Sequence, residues 1–274
     1  MTTFAERLDS AVTRGGSLLC VGLDPDPAKI PVPDVASFNR AIVDATHDLV
    51  CAFKPQLAFY EALGIEGLRA LEATVSYIRA AAPHVLIVGD GKRGDVGATA
   101  RFYAKAMFEG WGFDATTVNA YMGFDAVAPF LEYSDRGTFI VCRSSNEGAR
   151  EFQDLPAGKG GEPLYMKVAE AAERWNSRGN VGLVVGATYP RELGEIRSRH
   201  PNMPILIPGV GAQGGDVAAA VRAGVDPRGR GIIVNASRAV IYASSEPGEF
   251  AKAAREAATR LRAEIERSAG VRAG

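Results

Sequence analysis

The sequence has few of the residues that build metal sites and disulfide frameworks. Its 274 residues include 3 cysteines and 3 histidines, and each cysteine stands inside an apolar run. An odd, scattered set of cysteines favours a reducing compartment over a disulfide framework. No cysteine–histidine spacing is typical of a metal site. His47, His84 and His200 fall in helical patterns or beside proline, so they are interpreted as structural.

The chain also lacks an excess of either charge. Its formal net charge is −1, whereas proteins that bind nucleic acid or anionic membranes carry a basic footprint. No apolar run approaches the ~18 residues of a membrane-spanning helix, and the first residues lack the apolar core of a secretory signal. We therefore expect a cytoplasmic globular protein that binds neither nucleic acid nor membrane.

Length and hydrophobic patterning predict the fold. At ~150 residues per domain the length allows one or two domains, and a single α/β barrel of ~250 residues fits it well. Short β-branched runs alternate along the chain with patterns of helical period. The predicted strands are Ser17–Leu23, Val50–Lys54, Val85–Gly89, Ala115–Asn119, Thr138–Cys142, Val181–Val185, Ile205–Ile207 and Gly231–Asn235.

Alternating strands and helices imply a parallel sheet with right-handed crossovers. Eight such units predict an α/β protein with a closed (β/α)8 barrel, also called a TIM barrel, as one domain over residues 1–274; a doubly wound open sheet is the alternative. A helix over Phe4–Arg14 precedes the barrel, and an amphipathic helix over Glu249–Ala269 packs outside it. Ser144–Pro163, rich in glycine and charge, is predicted as a long loop, which in a compact domain is usually a functional lid or partly disordered.

Polar residues follow most of the predicted strands. Because the active site of such a barrel lies at the carboxyl ends of its strands, we expect these residues to share one face. They are Asp24, Lys54, Asp90, Lys92, Ser144, Ser145, the glycine-rich turn after the seventh strand, and Arg238.

The strongest local signal follows the third strand, where Asp90, Lys92 and Asp95 alternate in charge. Opposite charges at close range keep each other ionised. A lysine held in this way is suited to donate a proton to a developing carbanion, and Lys54 extends the array to four charges. Such a run of charges is usually a solvated surface turn. Here the run follows a strand, and a second lysine ends the preceding strand, which favours a functional site.

A second signal is the glycine-rich run Ile207–Asp216. Backbone N–H groups at a strand–helix junction can converge on an anion, and barrels commonly bind phosphate after the seventh and eighth strands. Arg238, after the eighth strand, can contact the same phosphate in a bidentate manner. A plain glycine-rich turn beside a surface arginine is the alternative. Asp216 is predicted to cap the next helix, Val217–Ala223.

Together these motifs resemble a known family. The run Asp90–Thr99 is similar to the signature of orotidine 5′-phosphate decarboxylases, and the resemblance covers roughly residues 17–242, with the longer, bacterial branch of the family. Glu147 departs from the pattern because a proline is frequent at its position. The flanking motifs that agree are Leu23-Asp24, Phe53–Gln56, Ser144–Gly148 and Pro208–Gly215.

The resemblance implies decarboxylation of orotidine 5′-phosphate to UMP and CO2, the last step of UMP synthesis, without a cofactor or metal. It implies that Lys92 protonates C6 and that Asp90, Asp95 and Lys54 complete the charged set. It also implies a homodimer with shared active sites, in which Asp95 and Thr99 reach into the partner's site. The implied substrate ligands are Asp24 and Thr99 for ribose, Ser145 for the pyrimidine, and Gly209, Gly211, Gln213 and Arg238 for phosphate. From the residues alone, Asp24 is either a helix cap or a ribose ligand, and its place after the first strand favours the ribose.

Two other functions stay open. Related sugar-phosphate decarboxylases and aldolase-like barrels share the Asp-x-Lys core, but they use Mg²⁺ with an acidic ligand after the second strand, where this chain has Lys54. A regulatory barrel that only binds a phosphate ligand would not need two carboxylates facing that anion. Both features favour the decarboxylase.

Overall fold

Eight parallel strands close into a barrel in which each strand pairs with its neighbours in the sequence, and the last pairs with the first. The computed structural model describes residues 2–158, 160–210 and 216–270. The strands are β1 (Leu19–Leu23), β2 (Ala52–Pro55), β3 (Leu86–Arg93), β4 (Ala115–Val118), β5 (Gly137–Arg143), β6 (Val181–Val185), β7 (Ile205–Ile207) and β8 (Ile232–Ala236).

Helices follow the strands and cover the barrel, so the predicted closed (β/α)8 architecture is confirmed and the open sheet is wrong. The helices are α1 (Phe4–Gly15), α2 (Val35–Thr46), α3 (Leu57–Glu61), α4 (Gly64–Ala81), α5 (Gly97–Lys105), α6 (Phe124–Leu131), α7 (Leu164–Trp175), α8 (Pro190–Arg199), α9 (Val217–Gly224), α10 (Arg238–Ile241) and α11 (Phe250–Ser268).

The predicted strands are all present, and most of them have shifted ends. β6 and β7 match their predicted bounds, whereas β3 continues past Gly89 to Arg93. The difference at β3 has a structural cause. The last residues of β3 pair irregularly with β4. Because these residues are mostly polar, a hydrophobic pattern does not reveal that the strand continues. This extension carries Asp90 and Lys92 on the strand itself.

Helix α1 closes the amino-terminal end of the barrel. Thr3 and Glu6 form a capping box at its start, in which each side chain accepts a hydrogen bond from the other residue's backbone N–H. Phe4 then packs edge-on against Phe139 of β5, with ring centroids 5.9 Å apart. A Cβ at Gly137 would lie 2.3 Å from the Phe4 ring, so glycine is needed there. The site must therefore open at the other end.

The segment Ser144–Pro163 has secondary structure of its own, and the prediction of a plain loop is wrong in this respect. A 3₁₀ turn spans Glu147–Glu151, and Pro156–Ala157 pairs with Glu162–Pro163 in a short antiparallel hairpin. The fully buried guanidinium of Arg143 lies 3.0 Å from Asp154 and stacks on a tyrosine ring. These contacts hold the segment against the end of β5.

In the described residues, no helix is both long and apolar enough to cross a membrane. The cytoplasmic location stays a prediction. The histidines lie away from the carboxyl ends of the strands: His47 and His200 follow the last residues of α2 and α8, and His84 lies in the turn before β3. His200 pairs with Glu173 at 2.8 Å, as a structural role predicts.

The three cysteines are buried and unpaired in disulfides. Burial raises the pKa of the Cys51 and Cys142 thiols to about 12, and that of Cys20 well above its ordinary value. Because thiolates are the reactive species, we expect the native protein to leave Ellman's reagent uncoloured at pH 8 over minutes. After unfolding in guanidinium, all 3 cysteine thiols of each chain should react with the reagent. Rapid reaction of the native protein with the reagent would contradict the burial of the three cysteines.

Candidate active site

A cavity of about 290 Å³ opens at the carboxyl ends of the barrel strands. Its volume is at the lower end of the range for small-ligand sites, ~300–1,000 Å³. Seven residues predicted for the site line it, and the structure thus brings them together on one face. The lining comprises Asp24, Lys54, Gln56, Asp90, Lys92, Val141, Ser144, Ser145, Asn146, Val184, Pro208, Gly209, Val210, Asn235, Ser237 and Arg238.

The centre of the cavity is the carboxylate of Asp90, a residue that is 5% exposed. One oxygen, Oδ2, accepts from Lys54 Nζ at 2.8 Å and from Gln56 Nε2 at 3.0 Å. The other, Oδ1, accepts from Lys92 Nζ at 2.7 Å and from Thr117 Oγ1 at 2.7 Å. Four donors from β2, β3, β4 and the turn after β2 therefore fix one buried carboxylate.

The charges of this cluster sustain one another. Burial alone would raise the pKa of Asp90, but the two lysine ammonium groups outweigh it and hold that pKa well below its ordinary value. Burial likewise disfavours the Lys54 ammonium, yet the carboxylates of Asp90 and Asp24 outweigh it and raise the pKa of Lys54. Asp90 and Lys54 are therefore both ionised at neutral pH, as the alternation of charge predicted.

Lys92 differs from Lys54 in its exposure and backbone. Its side chain is 48% exposed, whereas that of Lys54 is 4% exposed. Its φ of 43° makes it the one non-glycine residue with positive φ among the residues described. The left-handed conformation costs an L-residue roughly 1–2 kcal/mol, and such strain is concentrated at functional sites. Lys92 thus combines a strained backbone with a side chain that reaches the open part of the cavity.

Asp24 follows β1 and lines the cavity. Its Oδ1 is buried and makes no hydrogen bond within the described residues. The interpretation of Asp24 as a helix cap is wrong, since α2 starts at Val35 and is capped by Asp34. A buried carboxylate oxygen without a partner is costly, so this atom is suited to accept a hydrogen bond from a ligand hydroxyl.

Gly209 and Arg238 lie at the end of the cavity formed by β7 and β8. Gly209 has a φ of 92°, which an L side chain rarely adopts, and Arg238 is the first residue of α10. Two further predicted residues of this turn, Gly211 and Gln213, lie outside the described residues. Asp216 caps α9 as predicted, its Oδ1 accepting from the Ala219 N–H at 2.9 Å.

Ser145, which follows β5, also lines the cavity. A Cβ at Gly186, just after β6, would lie 2.7 Å from the Ser145 Cα. The close approach of these two segments therefore depends on a glycine and fixes the Ser145 backbone over the cavity. Val141 and Val184 supply apolar surface beneath it.

Of the predicted residues that the structure describes, Asp95 and Thr99 are the two that do not line this cavity. Asp95 lies in the turn after β3, and its Oδ1 accepts from the N–H of Val96 at 2.8 Å. Thr99 is exposed in the first turn of α5. Within one chain the structure does not assemble Asp95 with Lys54, Asp90 and Lys92.

Several polar residues of the site were missed by the sequence argument. Gln56 and Thr117 donate to Asp90, and Asn235 of β8 lines the cavity and donates to the Ser237 hydroxyl at 3.3 Å. Thr117 and Asn235 lie within predicted strands, whereas the predicted site residues lie at or after the strand ends. A polar residue within an otherwise apolar parallel strand is the signal that would have found them.

A closed (β/α)8 barrel with a cation–carboxylate–cation cluster at the carboxyl ends of its strands defines a barrel enzyme. The model of the Orotidine 5′-phosphate decarboxylase / HUMPS family matches residues 17–254. Since the match spans most of the sequence, the chain belongs to this family. Among the described residues, no group of three or more His, Cys, Asp or Glu side chains is placed to hold a metal ion.

Curated relatives and solved structures agree with this assignment. The chain is 50% identical over 272 residues to an orotidine 5′-phosphate decarboxylase of Thermomicrobium roseum, covering 97% of this chain and 95% of that one. It is 51% identical over 272 residues to that of Cupriavidus metallidurans, covering 97% and 98%. The structure of Leishmania donovani OMP decarboxylase superposes with a TM-score of 0.85 at 37% identity, covering 98% of this chain and 99% of that one.

The charge balance around Asp90 generates a prediction about stability. In Lys54→Met, a buried carboxylate loses one of its two cations, and breaking such a pair costs about 3 kcal/mol or more in the free energy of unfolding at pH 7. Because the pKa of Asp90 is lower in the folded protein than in the unfolded chain, where it is about 4, ionised Asp90 stabilises the wild-type fold above about pH 4. In the variant that pKa rises, so protonation relieves the unpaired charge as the pH falls.

We therefore expect the stability difference between wild type and Lys54→Met to be largest near pH 7 and to shrink towards pH 4.5, as measured by urea unfolding. The matched control is Lys252→Met, which removes a lysine whose side chain is 71% exposed and pairs with Glu249 at 3.8 Å. It should change stability by well under about 1 kcal/mol. A Lys54→Met deficit that does not vary with pH would contradict the coupling of Lys54 to Asp90.

Proposed function

We propose that this protein decarboxylates orotidine 5′-phosphate to UMP and CO2 in pyrimidine biosynthesis, with Lys92 donating the proton that replaces CO2. The observation that carries the proposal is the buried carboxylate of Asp90 held between two ammonium groups, each within 2.8 Å. The likeness to decarboxylases of about 50% identity over nearly the full length supports it.

The chemistry needs a fixed positive charge. When the bond between C6 and the carboxylate carbon breaks, its electron pair stays on C6 and CO2 leaves. No adjacent π system accepts that pair, so the carbanion is high in energy. The Lys92 ammonium, held by Asp90 at 2.7 Å, stabilises this charge without reorganisation and then transfers a proton to C6. The fixed charges of the protein thus take the place of a cofactor.

Asp90 has two roles in this proposal. It orients Lys92, and it places a negative charge beside the carboxylate that the substrate loses. Because that carboxylate leaves as neutral CO2, the repulsion is relieved in the transition state. Lys54 keeps Asp90 ionised, and its own side chain is only 4% exposed. Val141 and Val184 offer an apolar wall in the same cavity.

The remaining lining residues are assigned to substrate binding. The unpartnered Oδ1 of Asp24 accepts from a ribose hydroxyl, and Ser145 contacts the pyrimidine edge. Gly209 and Arg238 bind the phosphate at the far end, where Gly211 and Gln213 are also predicted to act. Phosphate contacts far from C6 allow binding energy to position the reacting ring against Lys92.

A magnesium-dependent relative and a non-catalytic binder fit this site less well. The end of β2 carries Lys54, whose ammonium already occupies the position beside Asp90 that a metal ion would need. A protein that only bound a phosphate ligand would gain nothing from a buried carboxylate aimed at an anionic ligand. The decarboxylase is therefore the function that this charge arrangement supports best.

The active form is proposed to be a homodimer with shared sites. Asp95 and Thr99 lie outside the cavity of their own chain but close to a surface rich in exposed apolar side chains. Such surfaces mark association sites. The side chains all belong to the segments that follow β3, β4 and β5: Val96, Phe102, Tyr121, Met122, Phe124, Phe152 and Leu155. A second copy covering this surface would bring Asp95 and Thr99 to the neighbouring cavity.

The function is tested by incubating the purified protein with orotidine 5′-phosphate and EDTA while following the pyrimidine absorbance. We expect turnover by the wild type and by Lys252→Ala, a surface control. Lys92→Ala should lose at least about 10³-fold in kcat, since it removes the proton donor and the stabilising charge. It should still bind UMP, because Gly209 and Arg238 are unchanged.

Absence of turnover by the wild type would refute the decarboxylase. Loss of folding or of UMP binding in Lys92→Ala, measured by circular dichroism and calorimetry, would show that Lys92 is structural instead. The two results are independent, because the first concerns the reaction and the second concerns the assigned proton donor.

The shared site is tested with hybrid dimers. Lys92→Ala and Asp95→Ala homodimers should each be severely impaired, because every site lacks one charged member. After subunit exchange between the two variants, each hybrid has one site with both changes and one intact site. Half of the dimers are then hybrids with half of their sites intact, so activity should return to about a quarter of wild type. No recovery despite verified exchange would place Asp95 in its own chain's site.

A further inference from the structure

We propose that Thr117 is a positioning residue that fixes both the backbone of Lys92 and the carboxylate that holds its ammonium group. Thr117 lies on β4 and is 1% exposed. Its hydroxyl donates to Asp90 Oδ1 at 2.7 Å and accepts from the Lys92 backbone N–H at 2.9 Å. One hydroxyl therefore bridges the two residues. The inference rests on the proposed function, because the role it assigns is to prepare Lys92 for proton transfer.

The pairing of β3 with β4 explains why a side chain performs this task. Gly89 pairs with Thr116 and Arg93 pairs with Val118. The three residues from Asp90 to Lys92 thus lie opposite Thr117 alone, as in an extended β-bulge. Such a bulge interrupts the ladder that normally satisfies backbone N–H groups, and an N–H left without a partner is costly. The Thr117 hydroxyl supplies the acceptor for Lys92.

The backbone of Lys92 needs such support. Its φ of 43° lies in the left-handed region, which a non-glycine residue keeps only where its surroundings determine it. Lys92 is held at two points: its N–H by Thr117, and its ammonium group by Asp90 Oδ1. The same Oδ1 accepts from Thr117. Removal of this one hydroxyl therefore loosens both ends of Lys92 at once.

The neighbouring residue provides a matched control. Thr116 is also fully buried on β4, but its hydroxyl donates to the carbonyl oxygen of Gly89 at 2.9 Å. The substitutions Thr116→Val and Thr117→Val remove the same atom from the same strand at similar burial. They differ in whether the lost hydroxyl contacts Asp90 and Lys92. A general effect on strand stability would appear in both variants.

The experiment compares Thr117→Val, Thr117→Ser and Thr116→Val with wild type in steady-state decarboxylation of orotidine 5′-phosphate, together with UMP binding. We expect kcat of Thr117→Val to fall about 10- to 100-fold, the range for losing a hydrogen bond to a charged group. KM and the UMP dissociation constant should change by less than about threefold, since the substrate ligands are untouched. Thr117→Ser, which keeps the hydroxyl, and Thr116→Val should stay within about threefold of wild-type kcat.

Three kinetic results would overturn the proposal. They are a kcat of Thr117→Val near wild type, an equal loss of kcat in both valine variants, or a loss confined to KM. If Thr117→Val does not fold, Thr117→Ala replaces it and is compared with Thr117→Ser, since the serine variant adds back only the hydroxyl. Wild-type inactivity would refute the proposed function instead. The crystal structure of Thr117→Val provides a test that does not depend on activity. Lys92 should leave the left-handed region in that structure, and an unchanged φ at Lys92 would also overturn the proposal.

Discussion

The buried carboxylate of Asp90 is the constraint on which the site depends. Asp90 is 5% exposed, and a carboxylate so buried stays ionised only if several charged or polar donors are present at once, because desolvation opposes the charge. Those donors come from Lys54 on β2, Lys92 on β3, Thr117 on β4 and Gln56 after β2. The anion is therefore stable only in a barrel whose second, third and fourth strands are correctly aligned.

This dependence assigns different duties to two similar side chains. Lys54 is almost fully buried and serves the anion, whereas Lys92 is half exposed and can serve a ligand as well. A single lysine could not both neutralise Asp90 throughout the reaction and give up a proton. With Lys54 in place, Asp90 keeps a cation beside it when Lys92 becomes neutral. In the proposed reaction, the pair of lysines thus separates structural charge compensation from proton donation.

The sequence predicted those features of the fold and site that are local. The barrel followed from eight apolar runs, and Asp24, Lys54, Asp90, Lys92, Ser145, Gly209 and Arg238 were found because each lies at or just after a strand end. Features that depend on pairing between distant segments were missed. The bulge in β3 arises from its register with β4, so neither the left-handed Lys92 nor the part played by Thr117 was visible. Likewise, the order within Ser144–Pro163 depends on the buried Arg143, which looks like an ordinary charged residue in the sequence.

Asp95 is separated from the charged cluster of its own chain. Its spacing from Lys92 suggested one continuous charged cluster, but it turns away and accepts from the next residue's N–H. The turn after β3 includes Gly94, where a Cβ would lie 2.7 Å from the Asn119 carbonyl oxygen. Since β3 ends at Arg93, Asp95 lies in the turn beyond it, and its nearness to Lys92 in the sequence does not place its carboxylate beside the Lys92 ammonium.

The closure of the barrel by α1 has a consequence for synthesis on the ribosome. Phe4 is translated well before its aromatic partner Phe139, which lies in β5, 135 positions further along the sequence. The apolar face of α1, which includes Leu8, Ala11 and Val12, has no barrel end to cover until five strands have been translated. Late-forming contacts of this kind leave apolar surface exposed in partly made chains. The other face of α1 carries the exposed charged residues Glu6, Asp9 and Arg14, so this helix is amphipathic before its apolar face is covered.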